Sequence, residues 1–218
     1  MTGRRPLVVA HIAVSVDGAS TGFAPDQRWF YQLARRWNEN VTLVGADTIL
    51  AQEPALATAP QPGPDPNGPL LAVVDGRGRV REWTALRAVG HWRDVLALHA
   101  EHTPPRSAGP AVPELVTGHG DRVDLAAVLT VLAGRYEARV IRVDSDGSLL
   151  GALLEDGLLD ELSLLVHPVF AGGDAQRWFG AARRRQHDFS LVTAERIGEE
   201  LGWLHYRRRG AAPPAGRD

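Results

Sequence analysis

Short apolar runs closed by turn residues alternate with helically spaced apolar positions along most of the chain. Leu7–Ser15 (LVVAHIAVS) is a buried strand by this pattern, short, β-branched and ended by Asp17-Gly18. Pro25-Asp26 opens a helix to about Trp37, with Trp29, Phe30, Leu33, Ala34 and Trp37 at helical spacing. Val41–Val44 predicts a second buried strand closed by Gly45, followed by a short helix over Ala46–Ala51. Ala59–Pro69 holds five prolines and reads as a surface loop, with a strand at Leu70–Val74 ending on Asp75-Gly76. Val95–His99 and Glu114–Thr117 are two further short strands, and Asp124 caps a helix over Leu125–Arg135. Arg139–Val143 is a strand, Asp144–Ser148 a tight polar loop, and Leu149–Leu154 a helix stopped near Gly157. Asp160–Phe170 reads as the longest strand, broken by Gly172-Gly173, and Phe189–Arg196 with Gly202–Arg208 as a terminal hairpin.

Strands alternating with helices imply an α/β fold: a central, mostly parallel mixed sheet flanked by helices, with antiparallel strands added by the C-terminal hairpin. One domain over 1–209 is expected, followed by a disordered tail over 210–218. In such sheets ligands bind outside the carboxyl ends of the strands. Four strand-ending segments carry the polar or glycine-rich residues: Ser15–Gly18, Gly45–Thr48, Asp75-Gly76 and Asp144–Ser148.

Composition narrows the function classes. The 218 residues carry a formal net charge of −2 without a long basic run, so no nucleic-acid surface is indicated. Cysteine is absent, which removes disulfides, thiolate zinc sites and thiol nucleophiles. The opening apolar run is too short for a membrane helix and lacks a signal-peptide pattern, so no membrane association and a cytoplasmic location are the expectation.

Taken singly, the motifs are ambiguous. Asp17-Gly18 is an ordinary turn signal. Gly45-Ala-Asp-Thr48 could bind phosphate at a helix start or simply cap that helix. Asp144 and Asp146 alternate like calcium-loop ligands, but the further acidic positions of such a loop are missing, and the eight histidines form no H-x-x-x-H pair. No metal site is therefore expected. G-x-S-x-G, G-x-x-x-x-G-K-[ST] and a G-x-G-x-x-G after the first strand are all absent. His11, mid-strand among apolar neighbours, is by default a core histidine.

In order, the segments resemble the pyrimidine reductase family of riboflavin biosynthesis, whose fold is like dihydrofolate reductase. The matching pieces are Ser15-Val-Asp-Gly18, Val44-Gly-Ala-Asp-Thr-Ile49, Gln52-Glu-Pro-Ala-Leu56, Val73-Val-Asp75, Gly157-Leu-Leu-Asp-Glu-Leu162 and Pro168-Val-Phe-Ala-Gly-Gly173. The resemblance implies an NADPH-dependent oxidoreductase that delivers hydride to a small pyrimidine-linked molecule, and often a homodimer. It places Ala13 and Ser15 at the nicotinamide and Gly45 and Thr48 at the cofactor-binding helix start, with Gln52 a further cofactor candidate. It places Asp146, Gly147, Ser148, Leu149 and Leu150 at the pyrophosphate turn. Asp75, Gly76 and Arg77 are further cofactor candidates, and Arg77 and Arg79 are the candidates for the 2′-phosphate. His11, Asp17, Arg36, Leu56 and Asp144 are the candidate substrate contacts, and no catalytic proton donor is implied.

Departures from the family pattern shape two further expectations. The family has Lys at His11, Glu-Gly-Gly at Asp144-Ser145-Asp146, and an Arg for the substrate phosphate where this chain has Ala57-Thr-Ala-Pro60. An unphosphorylated or altered substrate is therefore expected. Like charges at about 4 Å cost roughly 4 kcal/mol at an effective dielectric constant of about 20. Asp144 and Asp146 should therefore not both face a pyrophosphate, and one should turn to backbone N–H groups as a cap. A pterin-type reductase and a catalytically silent nucleotide-binding member of the fold are the alternatives.

Overall fold

The computed structural model describes residues 5–106, 112–182 and 188–210. The elements run β1 (Leu7–Ser15), α1 (Gln27–Ala34), β2 (Val41–Gly45), α2 (Ala46–Leu56), β3 (Leu70–Val74), α3 (Trp83–Ala88) and β4 (Asp94–His99). They continue as β5 (Glu114–Val116), α4 (Leu125–Arg135), β6 (Val140–Val143), α5 (Gly147–Glu155), β7 (Glu161–His167), β8 (Phe189–Ile197) and β9 (Leu201–Arg208). The expected tail lies, from residue 211 on, outside the described residues.

The chain forms two compact units. One comprises Met1–Pro6 with Glu39–Ile141, the other Leu7–Asn38 with Arg142–Asp218, and the boundary falls inside β6. In the first unit β5, β4, β3 and β2 pair side by side, all parallel. Strands β2, β3 and β4 are buried nearly throughout, as parallel strands covered on both faces must be, whereas the short edge strand β5 is largely exposed. Val44, Ile49, Val73, Trp83, Leu86 and Val95 form part of the core on one side. In the second unit β1 pairs parallel with β7, β7 antiparallel with β9, and β9 antiparallel with β8. The expected α/β class, mostly parallel with an antiparallel C-terminal hairpin, is what the strands form.

Local chemistry explains most element ends. Asp26 accepts from the Trp29 amide at 3.0 Å and Asp124 from the Ala127 amide at 3.0 Å, so both act as side-chain N-caps. The helix expected to reach Trp37 is α-helical only to Ala34. Its last turn, Arg35–Trp37, tightens to a 3₁₀ turn and ends at Asn38, which is left-handed at φ 44°. The strand expected over Asp160–Phe170 is shorter, Glu161–His167, and β1 and β8 are longer. Pairing with β1 ends at Ser15 opposite His167, and the next residue, Pro168, has no N–H to continue a ladder. The helix expected to stop at Ala51 runs through Pro54 to Leu56. Helix α3 carries no sequence signal strong enough to predict it; it is six residues long with no side-chain cap, held by buried Trp83, Ala85 and Leu86.

Candidate functional site

In the second unit, β1 brings Ala13 and Ser15 to its carboxyl end, opposite Leu165 and His167 of β7. Ser15 is buried; its hydroxyl donates to Asp17 Oδ1 at 2.6 Å and accepts from the Ala19 amide at 2.9 Å. Asp17 also accepts from the amides of Ala171 at 3.0 Å and Gly172 at 3.4 Å. The Ser15 hydroxyl and these amides hold its carboxyl below the usual carboxylate range. Arg177 donates to the Asp17 carbonyl. The Asp17-Gly18 turn is therefore tied to the segment after β7, a connection that no local pattern announces.

His11 faces inward and is 1% exposed. Its Nε2 lies 3.0 Å from the Phe30 carbonyl, which can only accept, so Nε2 carries the proton. Nδ1 then accepts from the Ser163 hydroxyl at 2.9 Å, and Ser163 in turn accepts from Trp203 Nε1 at 2.8 Å. Burial pushes His11 down from 6.5 to about 4, against the opposing pull of the Phe30 carbonyl. Beside it lies Glu161, fully buried. Its carboxylate accepts from Trp37 Nε1 at 3.1 Å and from the Arg207 guanidinium at 3.0 and 3.1 Å, and His205 Nε2 lies 3.0 Å away. Burial alone would raise its pKa, but these partners outweigh it and hold the group at about 2. Arg36 is exposed and stacks over the Trp203 ring at 4.5 Å.

The turn before α5 departs from expectation. Asp146 occupies the N-cap position but makes no side-chain cap. Asp144 instead lies 3.0 Å from Arg142 Nη1, an ion pair off the hydrogen-bond direction. Neither carboxylate is the predicted cap; Arg142, two residues upstream in β6, relieves the charge of Asp144 directly. Gly147 sits at φ +62°, and a Cβ there would lie 2.1 Å from Gln176 Nε2. Its amide donates to the Trp178 carbonyl at 2.8 Å. Leu149 and Leu150 point into the core while Ser148 is exposed. The two leucines could therefore meet a ligand only through backbone.

In the first unit, Gly45 is the extended N-cap of α2, Thr48 is partly buried, Gln52 is exposed, and Leu56 packs on the core. Asp75 is buried and closes its own turn, accepting from the amides of Arg79 and Val80, both at 2.9 Å. A Cβ on Gly76 would come within 2.8 Å of the Asp121 carbonyl. Arg77 is exposed, whereas Arg79 is paired with Asp47 in the first turn of α2 at 2.7 Å. Of the two arginines considered for a 2′-phosphate, Arg79 already has an acidic partner.

Residues 6–202 match the RibD C-terminal domain family. The chain belongs to this family. A relative from Archaeoglobus fulgidus, named 2,5-diamino-6-ribosylamino-4(3H)-pyrimidinone 5′-phosphate reductase, is 30% identical over 188 residues, covering 78% of this chain and 83% of that protein. The riboflavin biosynthesis reductase of Saccharomyces cerevisiae has a similar solved structure, with TM-score 0.70 and 17% identity, covering 93% of this chain and 90% of that one. Dihydrofolate reductase from Enterococcus faecalis shares the fold more distantly, at TM-score 0.50 and 12% identity, covering 94% and 98%. The family resemblance read from the ordered motifs and the dihydrofolate-reductase-like fold are both borne out.

Proposed function

We propose that this protein is a reductase of riboflavin biosynthesis, passing a hydride from NADPH to 2,5-diamino-6-ribosylamino-4(3H)-pyrimidinone 5′-phosphate or a close pyrimidine relative. The observation that carries the reading is family membership over residues 6–202, joined to a 30% identical relative bearing that reductase name. When bound, the nicotinamide supplies the hydride; the protein supplies binding and orientation. In the second unit, Ala13 and Ser15 at the end of β1 and residues 146–150 at the start of α5 are the proposed cofactor contacts. The backbone at α5 offers donors to a pyrophosphate: the Gly147 amide is taken by the Trp178 carbonyl, and the N–H groups that follow it in the first helical turn lack intrahelical partners. Pairing of Asp144 with Arg142 removes one of the two charges that would oppose the anion. In the first unit, Gly45, Thr48, Gln52, Asp75, Gly76 and Arg77 are the proposed cofactor contacts. Of the substrate contacts, Arg36, Leu56 and Asp144 are retained; His11 and Asp17 act through the groups they hold.

Oxidation of NADPH by the purified chain in the presence of that pyrimidinone phosphate tests the reading. NADPH should be used in preference to NADH, and no oxidation with either cofactor would sink the reductase assignment. The lack of a cation at Ala57-Thr-Ala-Pro60 favours the dephosphorylated compound as the better substrate. A kcat/KM about tenfold higher for the phosphorylated form, worth about 1.4 kcal/mol, would overturn that preference. No helix among the described residues is long and apolar enough to cross a membrane. A cytoplasmic homodimer belongs to the same proposal, and sedimentation velocity tests the dimer.

A further inference from the structure

The segment over residues 169–180, which follows β7, bonds to the turn after β1 at one end and to the start of α5 at the other. At the first end, Ala171 and Gly172 donate to the Asp17 carboxylate, and the Val16 amide donates to the Val169 carbonyl at 3.0 Å. Further along, Ser20 donates to the Gln176 carbonyl and the Gln176 amide donates to Thr21 Oγ1, both at 2.8 Å. Two residues later the Trp178 carbonyl takes the Gly147 amide. The packing there leaves no room for side chains. A Cβ on Gly180 would lie 2.8 Å from the Gly147 carbonyl carbon, and one on Gly151 would lie 2.7 Å from the Phe179 carbonyl oxygen.

Polar bonds hold this strap more than burial does. Phe170 is 78% exposed, and Gln176 and Arg177 are exposed as well. Segments with few buried apolar groups open at low free energy, so the loss of one good acceptor is felt along them. Asp17 is that acceptor, since its carboxylate already takes Ser15 Oγ and two strap amides.

We propose that Asp17 is a positioning residue: by clamping the strap to the β1 turn, it sets the placement of Gly147 and the first turn of α5, and through them the affinity for the nicotinamide cofactor. The affinity part rests on the reductase reading; the coupling part does not. Only one residue, Arg177, separates Gln176 from Trp178, so a shift at the β1 turn reaches Gly147 with little backbone in between to absorb it.

Amide hydrogen exchange and cofactor titration on the full chain decide it, using Asp17→Asn and the exposed Thr21→Val. Thr21→Val loosens the same strap without touching Asp17, and covers the case in which Asp17→Asn folds poorly. In both variants the Gly147 amide should exchange about tenfold faster, while amides of β4 stay unchanged. The Kd for NADPH should rise severalfold in both, with a smaller change in substrate KM. An unaltered Gly147 exchange rate in either folded variant overturns the coupling. Faster exchange with unaltered NADPH affinity overturns the link to cofactor binding. A rise in substrate KM alone, on Asp17→Asn, would mark Asp17 as a direct substrate contact and overturn the proposal. If the unmutated chain binds no NADPH, the reductase reading fails together with the affinity part, and exchange at Gly147 still decides the coupling.

Discussion

Glu161 carries a full charge in the interior, matched by the Arg207 guanidinium, with Trp37 and His205 as further hydrogen-bond partners. Truncating Glu161 leaves the buried Trp37 and His205 donors without that acceptor, while Arg207, about a third exposed, can still reach water, so the cost is about 1–3 kcal/mol. Glu161→Ala should lose stability of that order in urea denaturation, and Glu161→Gln less, because the amide oxygen still accepts. His11 is the second residue whose environment sets its chemistry. The family pattern suggested a substrate contact there, but both ring nitrogens are engaged and the ring is neutral, so its role is to hold Phe30 and Ser163 in place. A lysine at this position would bring a charged ammonium where this chain buries a neutral ring. His11→Lys should therefore destabilise the fold rather than supply a substrate-binding cation, which thermal unfolding of the variant checks.

At the scale of elements, the start of α5 depends on a backbone only glycine adopts cheaply. Gly147→Ala forces a Cβ onto a residue at φ +62°, costing about 1–2 kcal/mol, and pushes aside the Gln176 side chain. The chain end of Gln176 can swing into solvent, so the conformational cost sets the expected loss, read as a lower Tm. A loss well beyond that range would mean that the strap itself moves. Two cap aspartates, Asp26 and Asp124, were legible because a helix cap is local: acceptor and amide lie three residues apart. Asp146 looked equally suited, yet it makes no side-chain cap, and Arg142 pairs with Asp144. Asp144 lies one residue beyond the end of β6, close enough to Arg142 inside the strand for the two to pair.

For the molecule as a whole, pH acts through the buried groups. The unfolded chain protonates His11 near 6.5, whereas the folded chain resists until about 4, so the unfolded state binds more protons in between. Stability from this group is complete above pH 6.5 and falls as pH drops toward 4, by up to about 3 kcal/mol. His99, also held low by burial, acts in the same sense. Glu161, held at about 2, adds a further loss as pH falls from 4.5 toward 2. Denaturation series at several pH values should show stability declining already below pH 6.5, and His11→Gln should flatten that part of the slope. An unchanged slope in the variant would show that His11 is not the group responsible.

Strand positions, the C-terminal hairpin, two caps and the family itself were written in local pattern: apolar run length, turn residues and motif order. These depend on neighbours within a few residues, and hydrophobic burial rewards them wherever the segment docks. What the site residues do was settled only by tertiary contacts. Asp17 meets an amide 154 residues away, Glu161 an indole 124 residues away, and His11 a serine 152 residues away. A carboxylate or imidazole can serve a turn, a ligand or a buried network with the same local sequence around it. Which donors folding brings within 3 Å, and how much water it leaves there, decides among them, and sequence spacing carries neither.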